Sequence, residues 1–314
     1  MANRCGSGTG NMVIIENTTE FHLEYKSAVA LGKFDGIHLG HRRLLDRVLE
    51  QKKRGLQTVV FTFDTSAASF FGGETKELST REEKRDMFSR LGIDVLIEFP
   101  LNRETAATDP ADFVTRYLAA QMQTAYLCAG ADISFGRRGA GDYALLADYA
   151  GNCGYRVELI DKVCVDGEEV SSTRVRQAVR AGEMEKVSFM LGSPYRVSGK
   201  VVHGRQLGRK LGMPTANLLP DERKLLPPNG VYYSRAELGE KSYRGISNVG
   251  YKPTVSEDKI LGVETYLYDF EGEVYDRDMT VELLAFRREE RAFGSVEALR
   301  RQIEADVEAG RNFS

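Results

Sequence analysis

Long hydrophobic runs are missing from this sequence. Its apolar stretches last only a few residues, which excludes a membrane-spanning helix. Cysteine is scarce too: Cys5, Cys128, Cys153 and Cys164 form no CxxC pair and sit in no His/Cys cluster of zinc-ligand spacing. They read as free thiols of a reducing cytoplasm. Charge of one sign is also missing. With 43 Lys and Arg against 46 Asp and Glu, the formal net charge is −3. That balance argues against bulk nucleic-acid binding but leaves room for a local basic pocket. There is no internal repeat or low-complexity run. The opening MANRCGSGTGN is polar and Gly-rich with no apolar core. It reads as a disordered tail rather than a secretory signal, with Met12 as an alternative start.

What is present is room for two domains, in 314 residues. As far as about residue 180, strand-like and helix-like segments alternate. SAVALGKF reads as a buried strand. HRRLLDRVLEQKKRG reads as a helix with Leu44, Leu45, Val48 and Leu49 on one face and Gly55 as its stop, and QTVVFTF as a second strand. That βαβ order implies a parallel sheet. A helix in STREEKRDMFSRLG, a strand in IDVLIEF, a helix in DPADFVTRYLAAQM and strands in TAYLCAG and YRVELID continue it, for five strands in all. After GEMEKVSFMLGSPY the helical period gives way to short alternating runs broken by Gly, Pro and Asn. These predict an antiparallel barrel or sandwich. Within VETYLYDFEGEVYDRDMTVELLAF, FEGE reads as a hairpin turn. A closing helix carries Val296, Leu299, Ile303 and Val307 as a stripe. The predicted architecture is α/β, a parallel-sheet domain over residues 12–190 followed by an antiparallel β domain with a terminal helix over 191–314.

Histidine is as rare as cysteine, yet two of the four, His38 and His41, lie three apart in ALGKFDGIHLGHRRLL. A chance pair at this spacing is expected about 0.05 times in such a chain, so the spacing is a signal, though a weak one alone. The pair falls at the carboxyl end of the first predicted strand, where open α/β sheets bind ligands. Gly36 and Gly40 permit tight turns and close backbone approach. Helix N-terminal amides there favour an anion, and two imidazoles can hydrogen-bond phosphate oxygens. Two unrelated polar residues at a helix start remain the alternative.

In the second half, GRQLGRKLGMPTANL sets Gly204, Gly208 and Gly212 among Arg205, Arg209 and Lys210. Thr215 and Asn217 of its PTAN lie two apart, so on a strand they share a face. A hydroxyl and an amide oxygen suit Mg²⁺, which also takes phosphate oxygens and water. From the residues alone, an ordinary basic loop and a phosphate site are equally open. No Ser-His-Asp or Cys-His set is evident.

GKFDGIHLGH resembles the nucleotidyltransferase signature of the bacterial bifunctional riboflavin kinase/FAD synthetase family, and VSSTRVRQAVRAGEMEKVSFMLGSPY the stretch that closes that module. PTAN resembles the hallmark of the kinase module, with NGVYYSRAEL, SNVGYKPT, VETYLYDFEGEVYD and RREERAF following in family order. The resemblance covers nearly the whole chain beyond the leader. It implies a Rossmann-like FMN adenylyltransferase domain followed by a β-barrel riboflavin kinase domain. Riboflavin would be phosphorylated to FMN by ATP, and FMN adenylylated to FAD with release of pyrophosphate, both steps with Mg²⁺. It further implies that His38 and His41 contact the ATP α-phosphate, within a nucleotide site holding Gly32, Phe34, Asp35, Gly36 and Gly40. Ser171, Ser172, Thr173 and Arg176 would line the triphosphate. Thr215 and Asn217 would bind Mg-nucleotide under a flap carrying Gly204, Gly208 and Lys210, and Glu264 would take the proton of the riboflavin 5′-hydroxyl.

The chain departs from the family pattern in places. TFDTSA (Thr62 to Ala67) stands where the family carries TF-x-P-H-P, Ile133 and Ser134 alter the D-F-R-F-G segment, and Gly139 replaces an expected Arg. These changes leave open a riboflavin kinase with a weakened adenylyltransferase domain. A non-catalytic flavin or nucleotide sensor is a further alternative, against which the intact His38, His41, Thr215, Asn217 and Glu264 speak. Tyr266, where His is common, and Asp276, where Gly often follows the Tyr, depart less.

Overall fold

The computed structural model describes residues 3–4, 12–65, 67–73, 76–203, 213–253 and 259–313. The chain divides into two compact units, residues 1–75 with 81–171 and residues 76–80 with 172–314.

The first unit is built on six parallel strands: β1 (Val13–Glu16), β2 (Ser27–Leu31), β3 (Gln57–Phe63), β4 (Val95–Phe99), β5 (Thr124–Gly130) and β6 (Arg156–Ile160). They lie in the order β1-β4-β3-β2-β5-β6, with the two-residue strand Asn3–Arg4 antiparallel on β1. The sequence reading named five of the six. VIIE is four residues long and adjoins a polar leader, so no alternation marks it as β1. The pairing of Asn3–Arg4 also corrects the reading of the leader as a disordered tail at those two residues.

Both faces of the sheet are covered, which is why SAVAL and VLIEF are buried at every position. On one face Ala28, Ala30, Val60 and Leu96 meet helix α1 (Leu39–Glu50) and helix α2 (Arg81–Leu91) through Leu45, Val48 and Phe88. On the other, Val29, Phe61, Ile97 and Phe99 meet Phe113, Tyr117 and helix α3 (Tyr143–Cys153). Pro110 opens the helix before Phe113, with Asp109 as its cap, but Phe113–Gln121 then winds as a π-helix rather than the expected α-helix. The one acid buried in β4, Glu98, accepts from Arg81 Nε at 2.7 Å, and Arg85 pairs with it too.

The topology positions a site. From β2 the chain steps through β3 to β4 on one side, then returns so that β5 lies on β2's other side. The carboxyl end of β2 is thus a switch point, where such sheets leave a crevice.

The second unit is a closed antiparallel barrel of β7 (Tyr195–Val202), β8 (Thr215–Pro220), β9 (Gly230–Leu238), β10 (Lys241–Pro253), β11 (Lys259–Leu267) and β12 (Asp278–Arg288), in the order β7-β8-β11-β10-β9-β12. Alternate residues turn inward: Val197, Val201, Ala216, Leu218, Val249, Val263, Val281 and Leu283 are all buried. Ser234, Ser247 and Thr265 join through hydroxyl bonds of 2.8 and 2.7 Å. Helix α4 (Ser172–Ala181) and helix α5 (Met184–Leu191) belong to this unit, as does the terminal helix α6 (Val296–Asn312).

Two expectations are corrected. FEGE does not close a hairpin: β11 and β12 are not neighbours. Left-handed residues Asp269 (φ 56), Gly272 (φ 146) and Asp276 (φ 60) break the strand pattern, and the connection runs onto β7 through Val201 N–H to Arg277 O at 3.0 Å. The α6 stripe is also only partly used. Val307 packs on Val231, Ile246 and Tyr268, but Val296 is exposed. The helix is held instead by buried Asp306, which accepts from Arg288 Nη2 at 2.6 Å and Gln302 Nε2 at 2.9 Å.

Candidate active sites

The loop leaving β2 is built from strained backbone. Phe34 (φ 50), Gly36 (φ 84) and Ile37 (φ 37) all adopt left-handed conformations, which non-glycine residues hold only where packing over-determines them. Phe34 and Ile37 are fully buried and supply that packing. Gly32 donates to Phe61 O at 3.2 Å, and a Cβ on Gly32 would stand 3.1 Å from the Phe34 ring.

His38 then caps α1. Its Nδ1 accepts from the backbone N–H of His41 at 3.4 Å, which leaves the ring proton on Nε2. The two imidazoles stack with centroids 3.8 Å apart and planes at 19°, and Phe34 lies 5.2 Å from His41. Burial lowers the pKa of His38 to about 4, against the pull of Asp132, Asp35 and Glu169. Burial, and then the neighbouring His38, hold His41 well below its ordinary value. Both rings are therefore neutral near pH 7 and act as N–H donors. His41 Nδ1 is buried with no hydrogen-bond partner among the described residues.

The first unit thus brings together Gly32, Phe34, Asp35, Gly36, His38, Gly40 and His41, and carries Ser171 at its end. In the second unit, Ser172 and Thr173 open α4 and Arg176 lies one turn on, its Nη2 donating to Lys76 O at 3.2 Å. Just before residues 65–67, where Pro-His-Pro was expected, Asp64 ties the ends of β3 and β4 together: its N–H donates to Phe99 O and its Oδ1 accepts from Leu101 N–H, both at 3.0 Å. Gly139, in place of an expected Arg, sits at φ 67.

The barrel carries the second constellation on its outer face. In β11, Glu264 has Asn217 of β8 as its cross-strand partner on one side and Asn248 of β10 on the other. Thr215 Oγ1 donates to Glu264 Oε1 at 2.5 Å, a charge-assisted bond. Thr215, Asn217 and Glu264 alternate with the inward Ala216, Leu218, Val263 and Thr265, so register alone gathers them. Gly204, Gly208 and Lys210 lie outside the described residues, as do Arg205, Arg209 and Gly212. Asp276, where the resemblance leads one to expect glycine, occupies φ 60, a conformation that Asp tolerates better than most residues. The sequence reading did not single out Asn248. SNVGYKPT was noted as a motif, but the strand that faces it could not be read from it.

Comparison with known proteins agrees with this layout. The FAD synthetase family matches residues 21–174 and the riboflavin kinase family residues 191–314. The bifunctional riboflavin kinase/FMN adenylyltransferase of Listeria monocytogenes is 33% identical over 300 residues, 94% of this chain and 95% of its own length. The chain belongs to this family. It is a transferase of FAD biosynthesis with two activities, riboflavin kinase and FMN adenylyltransferase, both of which use ATP. The Bacillus subtilis member is 34% identical over 96% of this chain and 99% of its own. The fold also matches the crystal structure of a protein described as a macrolide-efflux protein from Streptococcus pneumoniae. That match has a TM-score of 0.85 at 29% identity, covering 96% of this chain and 99% of the other. Among the described residues of this chain, no helix is long and apolar enough to cross a membrane.

Proposed function

We propose that the two activities run at two separate ATP sites, one gripping the nucleotide at its α-phosphorus and the other at its γ-phosphorus. The observation that carries the kinase reading is the bond from Thr215 Oγ1 to Glu264 Oε1, with Asn217 across from the same residue. A primary hydroxyl is a poor nucleophile, and a carboxylate within hydrogen-bond reach takes its proton as it attacks. Glu264 is that base. The 5′-oxygen of riboflavin bonds to the γ-phosphorus, the bond to the β,γ-bridging oxygen breaks, and ADP leaves.

The donor set also fits a divalent cation. Thr215 Oγ1 donates its hydrogen bond to Glu264 and keeps lone pairs for a metal, and Asn217 offers an amide oxygen. Two neutral oxygen donors suit Mg²⁺, which draws its remaining ligands from phosphate and water. When bound it neutralises phosphate charge, the main task in phosphoryl transfer.

In the first half, FMN needs no base, because its phosphate is already an anionic nucleophile. An FMN phosphate oxygen attacks the α-phosphorus and pyrophosphate leaves. His38 Nε2–H and the imidazole of His41 donate to the oxygens where charge builds. Gly32, Phe34, Asp35, Gly36 and Gly40 shape the loop, while Ser171, Ser172, Thr173 and Arg176 serve the departing phosphates. Gly204, Gly208 and Lys210 serve the kinase phosphates. The functional boundary is proposed at 190/191, so that α4 and α5 serve adenylylation. The proposed compartment is the cytoplasm, in keeping with Cys128, Cys153 and Cys164 as free thiols.

The test is chromatography of reactions with riboflavin, or with FMN, plus ATP and Mg²⁺. Glu264→Gln is expected to abolish FMN formation while sparing FAD formation from added FMN, and His41→Ala to do the reverse. Equal loss of both activities in either variant contradicts two sites.

A further inference from the structure

The second unit takes in a strap from elsewhere in the chain. Lys76–Thr80 lies between β3 and α2 in sequence, yet it packs with residues 172–314. It runs beside the loop that follows β8. Glu77 N–H donates to Arg223 O at 2.7 Å, Leu225 N–H donates to Glu77 O at 2.8 Å, and Lys76 Nζ donates to Glu222 O. Lys224 sits in the middle of this seam and is only 3% exposed. Its Nζ donates to Leu78 O at 2.7 Å and stands 4.3 Å from the centre of the Tyr195 ring. Tyr195 OH in turn donates to Leu225 O at 2.7 Å. A buried ammonium needs groups that replace its water, such as a carbonyl and an aromatic face. Here those groups fix where the strap lies.

The strap also holds Arg176. From α4, Arg176 Nη2 donates to Lys76 O at 3.2 Å. A guanidinium is a rigid planar fork that serves phosphate oxygens only in the right plane, and this bond fixes that plane. We infer that Lys224 is a positioning residue for adenylylation: it secures the strap whose Lys76 carbonyl orients Arg176 for the departing pyrophosphate. A residue within the kinase half of the sequence then serves the other reaction. This inference rests on the proposed role of Arg176. The kinase face is held independently, because β8 is registered against β7 and β11 from Thr215 to Pro220, ahead of Lys224.

The experiment uses the full chain and measures three reactions: FAD formation from FMN and ATP, its reversal (FAD and pyrophosphate giving FMN and ATP), and riboflavin phosphorylation. Lys224→Met keeps the length of the side chain and removes its charge and its donor. It is expected to lower kcat/KM for FAD formation about tenfold and to raise the KM for pyrophosphate in the reverse reaction about tenfold, the worth of one bond to a charged group. The KM for FMN and the kinetics of riboflavin phosphorylation should not change. Lys76→Ala, at an exposed position, removes the tie to Glu222 O and is expected to shift the same two quantities about threefold. In an Arg176→Ala background neither substitution should cost more, since both act through that one group.

Undiminished FAD formation with an unchanged KM for pyrophosphate in Lys224→Met overturns the inference. So does an equal fall in riboflavin phosphorylation, which would mark Lys224 as a support of the barrel, and so does a full additional loss on Arg176→Ala. Should Lys224→Met not fold, Lys76→Ala with and without Arg176→Ala decides by the same criteria. Arg176→Ala alone tests the underlying assignment separately. Undiminished FAD formation there removes Arg176 from the pyrophosphate site, whereas a loss there beside a silent Lys224→Met removes Lys224 alone.

Discussion

Replacing Gly40 with alanine separates the stability of α1 from the geometry of the histidine pair. Gly40 is the second residue of the helix, and in helices alanine is favoured over glycine by about 1 kcal/mol. Stability should therefore hold or rise. The added Cβ, however, would stand 3.1 Å from His38 Cε1 and 3.2 Å from Nδ1, inside the normal carbon contact of about 3.5–4.0 Å. The ring must yield by a few tenths of an ångström. It cannot yield freely, because it stacks 3.8 Å from His41 and holds the His41 N–H by a bond already 3.4 Å long.

A misplacement of about 1 Å costs on the order of 10²-fold in rate, so a shift of a third of that is expected to cost about five- to tenfold. The assay is kcat/KM for FAD formation from FMN, alongside a thermal melt and riboflavin phosphorylation. The expected pattern is slower FAD synthesis with an unchanged or raised melting temperature and unchanged FMN formation. Undiminished FAD synthesis would refute the role given to the His38 ring. A lowered melting temperature with both activities reduced would refute the local account of the steric contact.

Thr215→Ala removes the bond to Glu264 and should lower riboflavin kinase kcat/KM about ten- to a hundredfold, the worth of one bond to a charged group, with Thr215→Ser restoring most of it in the same assay. His38, held down to about 4 by burial, has a folded pKa below its unfolded 6.5. Its contribution to stability is thus complete above pH 6.5 and is lost as the pH falls through 4. Urea unfolding should show about 2 kcal/mol lost between pH 7 and pH 5 from this residue, a slope that His38→Gln should flatten. Asp306→Ala leaves Arg288 without its buried partner and should destabilise the barrel unit by about 3 kcal/mol in denaturant melts. A loss under 1 kcal/mol would mean that apolar contacts such as Val307 hold α6.

Much of this architecture is legible in the chain because it rests on local chemistry. The α1 stripe of Leu44, Leu45 and Val48 is buried as its spacing requires, and Gly55 and Gly192 end their helices at φ 76 and 68. Buried strands such as SAVAL announce themselves by uninterrupted apolar sequence. What was not legible is relational. The misplaced hairpin at FEGE followed from adjacency in sequence, whereas the barrel pairs β11 with β8 and β10. Asn248 becomes a neighbour of Glu264 only through that pairing, and Glu290 meets Asn248 from 42 residues away. The stripe assigned to α6 likewise gave no hint that Asp306 would be its buried anchor.

The two sites consequently hold their groups by different means. The histidine loop depends on backbone conformation. Gly36 at φ 84 cannot take a side chain without strain of about 1–2 kcal/mol, and Phe34 and Ile37 hold left-handed conformations only because the sheet and α1 bury them. The kinase face depends on register. Thr215, Asn217, Glu264 and Asn248 occupy ordinary strand positions and meet because three strands align. Side-chain replacements on the barrel face should therefore remove single functions and leave the fold intact. In the loop, even a methyl group on a glycine should move several groups together. A chain that carries Thr65, Ser66 and Ala67 in place of Pro-His-Pro can keep the histidine geometry, because the preceding Asp64 secures β3 to β4 while His38 and His41 are set by β2 and the start of α1.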